Sequence, residues 1–170
     1  MPVNYYMYFV AALIPMVIGA AYYHPKAIGG PWMKTNGFTE KSLEEGNMGL
    51  IFGLSYIFSA MLALILGSLV IHQTSMVGLM IPEVFESGSA IQNDVSDFLT
   101  KYGDRHRTFS HGAFHGGILA VFLALPLIGI NALFERRGWK YILIHLGYWF
   151  ITLALMSGLL CATLEWAPLK

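Results

Sequence analysis

Charge is what this sequence has least of. Only 12% of its residues are charged, about half the share usual for a soluble domain, while 56% are hydrophobic. The 10 basic and 10 acidic residues cancel, which leaves neither the basic footprint of a nucleic-acid binder nor an acidic tail. Charge is missing altogether from residues 1–25, 46–82, 108–134 and 141–164. A bilayer-spanning helix needs roughly 20 apolar residues, and each gap can supply one. A chain this short cannot bury four such helices on all sides. A polytopic membrane protein is the class expected.

Other absences narrow the field. The single cysteine, Cys161, excludes an intrachain disulfide and reads as a small packing residue inside the last apolar segment. The first segment lacks the basic flank of a signal peptide, and "IGAAYYHP" is bulky where a cleavage site should be small, so a retained span is expected. No nucleotide-binding glycine loop, nucleophile elbow or pair of catalytic carboxylates occurs. Enzymatic activity is therefore not expected.

What remains is an all-α integral membrane protein. It is expected to form one membrane domain over residues 1–170, a bundle of four transmembrane helices at about 5–23, 48–71, 110–133 and 141–164. Pro15 should kink the first span. The loop after it carries Trp32 at the membrane surface and Thr39 as an N-cap for a short helical turn. Residues 72–107 make a long connection. Within it Ser89 can cap an amphipathic helix whose Ile91, Val95, Phe98, Leu99 and Tyr102 share one face. Such a helix is expected on the membrane surface or over the bundle mouth. The two short loops carry Lys26, Lys34, Lys41, Arg136, Arg137 and Lys140, against Lys101, Arg105, Arg107 and Lys170 on the other side. The positive-inside rule then places the termini outside the cytoplasm.

Lipid supplies no hydrophobic force between helices, so stripes of small residues must let backbones approach. Each span has one at a spacing of four. They are Ala11, Pro15 and Gly19; Ser55, Ser59, Ala63 and Gly67; Gly112, Gly116, Ala120 and Ala124; and Ala154, Gly158 and Ala162.

The densest chemistry is "HRTFSHGAFHGG", residues 106–117. His111 and His115 share a helix face, with Arg107 four residues earlier on the same line. His72, His106 and Glu165 fall on the same side of the membrane, and Asp104 lies near the start of span three. Two readings stand side by side. His72, His111, His115 and Glu165 could ligate zinc or another divalent metal. Alternatively, the histidines are interfacial residues bonded to loops and water, since His111 and His115 lie in the first two turns of the span. On the opposite side, His145 and Asn131 are expected to bond across spans three and four. His24 reads as a chain-exit residue.

Three stretches, "YYHPKAIGGPWMKTNGFTEKSL", "INALFERRGWKYILIHLGYW" and "ITLALMSGLL", resemble the small four-span bacterial membrane proteins of the domain of unknown function 1761 family. The matching positions are Tyr22, Tyr23 and Pro25, then Trp32, Met33 and Lys34, then Thr39 and Glu40, and finally Gly147 and Tyr148. The resemblance implies a four-span fold in a bacterial cytoplasmic (inner) membrane and no settled activity. The 72–107 connection is longer than that pattern implies.

Three functions follow. The first is a non-catalytic, self-associating accessory or scaffold bundle in the lipid bilayer, partnered by a second copy or another membrane protein, without nucleic acid and without a cofactor. The second is a small proton- or metal-linked transporter or channel element using the His72, His111 and His115 side. The third is a metal-dependent membrane enzyme with the long loop as lid. A divalent metal such as zinc is the one candidate cofactor.

Overall fold

A computed structural model describes residues 3–166, which are helical with no strand among them. The helices are α1 (Tyr6–Ala11), α2 (Ile14–Tyr22), α3 (Gly30–Asn36), α4 (Glu40–Glu44), α5 (Met48–Val70), α6 (His72–Leu79), α7 (Ala90–Tyr102), α8 (Phe109–Phe134) and α9 (Trp139–Thr163). Three of them, α5, α8 and α9, are long and apolar enough to cross a membrane. At 1.5 Å per residue the 23 residues of α5 reach about 35 Å, more than the roughly 30 Å hydrocarbon core.

The first span is interrupted near Pro15, where a kink was expected, and again at its end. It breaks at Ala12 and Leu13, just before Pro15, which lacks the N–H that would continue the helical ladder. A second break follows at Tyr23 and His24. The extended backbone of His24, typical of a residue before proline, turns the chain by 54° into Pro25–Asn36. Only if this bent pair is one span does the number of candidate spans rise from three to four.

Helix α9 is the hub. Of its most apolar window 39% is buried, against 17% for α5 and for α8, and it touches α1, α2, α5 and, along much of its length, α8. The glycine stripe explains that closeness. A Cβ on Gly112 would overlap the Ser157 carbonyl oxygen, and one on Gly116 would overlap that of Leu153. Two backbones thus lie in direct contact. Ala120 is fully buried and Ala124 lies against the core. Between them the helix widens into a π turn over Ala120–Ala124, immediately before Pro126, whose ring would otherwise strike the preceding turn.

The α5 stripe also faces inward. Ser59, Ala63 and Gly67 are buried and Ser55 is half-buried. A Cβ on Gly67 would come within 2.7 Å of the Tyr8 ring. On α9 the expected stripe holds at Gly158, which takes the Phe109 ring, and at Ala154, which lies beside Gly116. Ala162 is exposed. The buried face there turns through Leu160 and Cys161 instead, because α8 crosses α9 on the Ser157–Cys161 side. Cys161 is a buried packing residue, as expected.

The long connection folds much as its sequence suggests. Ser89 caps α7 by accepting from the Gln92 N–H at 3.0 Å. Thr39 and Ser42 form a reciprocal cap on α4. The turn Glu83–Phe85 packs on α7, and Val84 and Val95 are buried. Phe98 and Tyr102 of the α7 stripe line a groove described below.

Candidate metal centre

The site is built where α5 ends and α8 begins. Ile71 is extended, so α5 stops there, and Thr74 Oγ1 donates to the freed carbonyls of Ser68 (2.8 Å) and Ile71 (2.6 Å). That turn makes His72 the first residue of α6. Gln73 beside it donates through one amide nitrogen to the carbonyls of Tyr102, Gly103 and Arg105. The C-terminal end of α7 is thereby tied to the helix that carries His72.

Opposite, Thr108 caps α8 by accepting from the His111 N–H at 3.2 Å. Such a cap contributes about 1 kcal/mol. It also fixes the first turns of α8, where His111 and His115 follow one above the other. The residues before the cap leave the helix line. His106 adopts a left-handed conformation, φ 63°, at a cost of about 1 kcal/mol for a residue with a Cβ. Its carbonyl is held by the Thr108 N–H at 3.0 Å and the Cys161 thiol at 3.4 Å. This conformation lays the His106 ring on His111, with centroids 4.8 Å apart and planes 24° from parallel.

Three imidazoles converge. His111 Nε2 lies 3.1 Å from His72 Nε2 and 3.1 Å from His115 Nε2. One ligand atom from each of the three falls within 4.8 Å of the others. A ring nitrogen has one position in its plane, either an N–H or a lone pair. His111 Nε2 can therefore satisfy one neighbour well, not both. A shared cation satisfies all three at once. Tetrahedral zinc with bonds of about 2.0–2.1 Å sets its nitrogen ligands roughly 3.3 Å apart, close to the spacings found.

Glu165 does not belong to this group. The chain leaves α9 extended after Leu164, and the Glu165 backbone pairs with the N-terminal segment. Its N–H donates to Asn4 Oδ1 at 2.9 Å and its carbonyl accepts from the Val3 N–H at 2.8 Å. Arg107 also departs from expectation. It precedes the Thr108 cap, so it is not on the His111–His115 line, and its guanidinium donates to the Cys161 carbonyl at 2.7 Å and to that of Leu164. A cation at the carbonyl end of a helix is favourable both as donor and as charge. His106, expected on this side of the membrane, is not one of the three grouped ligands, and its left-handed turn stacks the ring on His111.

The other end of the bundle answers differently. His145 does not bond Asn131, which is exposed. Instead its Nδ1 lies 3.3 Å from the Tyr23 hydroxyl, and its ring is 4.3 Å from that of Tyr141. Tyr23 also contacts the rings of Tyr22, Trp32 and Tyr148. Gly147 admits the Tyr22 hydroxyl, which donates to the Ile144 carbonyl at 3.1 Å. The Tyr148 hydroxyl donates to the carbonyl of Pro15 at 3.0 Å. Pro25 starts the turn that returns Trp32 to Tyr23, Thr39 caps the next helix, and Lys34 is exposed on α3. Tyr22, Tyr23, Trp32, Gly147 and Tyr148 of the family-like motif thus form one packed cluster joining the first span's exit to α9.

A family model described as "Protein of unknown function (DUF1761)" matches residues 6–161, nearly the whole chain. The chain belongs to this family. The match runs through the aromatic cluster, α5 and all three histidines of the DUF1761 chain's candidate metal centre. No curated protein and no solved structure matches it.

Proposed function

We propose that this DUF1761 protein is a four-span bundle of the bacterial cytoplasmic membrane that captures a divalent metal ion, zinc foremost, on His72, His111 and His115. The observation that carries this is the position of His111 Nε2, 3.1 Å from two other imidazole nitrogens, which one hydrogen bond cannot account for. Three histidine ligands leave a fourth position open to water or a bound group. His72 is exposed, so an ion enters from the aqueous side of the long loop. The basic excess in the two short loops supports an orientation with that side outside the cytoplasm. No carboxylate is part of the three-ligand group, which favours ion capture over metal-assisted hydrolysis, a reaction that needs a base beside the metal. The apolar outer faces of α5 and α8 suit lipid as well as a second subunit, so the histidines, not self-association, carry the assignment.

The test is metal uptake by the full chain in a nonionic detergent. After equilibration with zinc and desalting, about one zinc per chain is expected. His111→Ala should weaken binding roughly 100-fold or more, beyond the 10–100-fold typical of losing an outer-shell partner. Equal uptake by the two proteins, or none by either, would overturn the proposal.

A further inference from the structure

Beside the three histidines runs an open groove of about 500 Å³, within the range of small-molecule sites. His72, His106, Met76, Phe98, Tyr102 and Arg105 line it, with Gln73. No acidic residue lines it. The Arg105 guanidinium lies 5.7 Å from the centre of the Tyr102 ring, and Lys101 Nζ lies 5.2 Å from the same ring. Among the described residues Arg105 has no carboxylate partner, the one ion pair being Arg137 with Glu135. The groove therefore offers one cation without a carboxylate partner, Arg105, together with the His72 edge of the histidine group and the apolar side chains of Met76 and Phe98. Phe98 is 43% exposed although it belongs to the apolar stripe of α7, so its ring is available to a ligand.

We propose that this groove binds an anionic amphiphile, a carboxylate or phosphate head on an acyl chain, with the head between Arg105 and the metal's fourth position and the chain along Met76 and Phe98. It rests on the metal assignment for one of its two head contacts. Arginine favours such heads because its planar fork matches two oxygens at once, and methylenes buried on the apolar side chains add affinity that a short-chain anion lacks.

Cobalt-substituted full-length protein in a nonionic detergent provides the test, with laurate and dodecyl phosphate as probes against acetate and inorganic phosphate. The long-chain probes should shift the visible cobalt spectrum and bind at least tenfold more tightly than the short ones. Arg105→Gln should weaken laurate at least tenfold while cobalt binding is kept, and Phe98→Ala should shrink the advantage of laurate over acetate. Equal binding of laurate and acetate, or no spectral change with any probe on cobalt-loaded protein, would overturn the proposal. If cobalt itself does not bind, the metal assignment fails. The groove is then judged by retention of radiolabelled laurate, which must still depend on Arg105 for the proposal to stand.

Discussion

The two ends of the bundle both gather imidazoles and aromatic rings, yet they use them in opposite ways. At the aromatic end His145 packs against the rings of Tyr23 and Tyr141, and its Nδ1 has a hydroxyl to meet. Each ring there is also fixed by another helix, so the cluster joins α2, α3 and α9. At the histidine end the imidazole nitrogens meet only one another. The backbone around them is secured by other groups: Thr74, Gln73, Thr108 and Arg107. A histidine whose partner is a hydroxyl is a structural residue. Histidines that a rigid frame holds facing one another, with one nitrogen shared between two neighbours, have the arrangement that the proposed metal site requires.

The glycines offer the hardest test of that contrast. A Cβ on Gly116 meets the Leu153 backbone, which cannot move without parting α8 from α9, whereas one on Gly147 meets the tip of the Tyr22 side chain, which can swing. Gly116→Ala should destabilise by about 3 kcal/mol, at the upper end of overpacking costs, and Gly147→Ala by nearer 1 kcal/mol. Denaturation midpoints in detergent would show the order. A larger loss for Gly147→Ala would mean that the aromatic end, not the glycine contact, organises the bundle.

The metal separates the ends next. Replacing His72 by alanine should remove most zinc affinity, while His145→Ala should leave stoichiometry unchanged and lower stability by about 1–3 kcal/mol through lost packing and bonding. Acid should act on one end only. Ligation requires neutral imidazoles, so protons compete with the metal, and bound zinc should be released between about pH 7 and pH 5. Zinc retained undiminished at the lower pH would point away from histidine ligands. The mildest change is Tyr23→Phe, which removes a hydroxyl 3.3 Å from His145 and should cost at most about 1 kcal/mol, with metal content unaltered.

Much of the frame was legible in the sequence because it depends on local rules. Threonine and serine caps set the starts of α4 and α7 at Thr39 and Ser89, and helical spacing put Gly112 and Gly116 on one face. The His111–His115 pair followed from the same spacing. What escaped depends on where the chain goes outside helices. One left-handed residue swings His106 over His111, and one cap position frees Arg107 for the carbonyl end of α9. Glu165 is drawn off by Val3 and Asn4, some 160 residues away in sequence. The 54° bend after Tyr22 falls at Pro25, and beyond it Trp32 packs back against Tyr23. Long-range pairing of this kind has no signature in spacing.

The central claim is that His72, His111 and His115 together hold one divalent ion. X-ray absorption at the zinc edge of the full-length, zinc-loaded protein reads that coordination directly. The account predicts three imidazole nitrogens at about 2.0–2.1 Å and one further light atom, with the imidazole signal lost in His111→Ala. Zinc bound without imidazole, or the same spectrum from the variant, would contradict it.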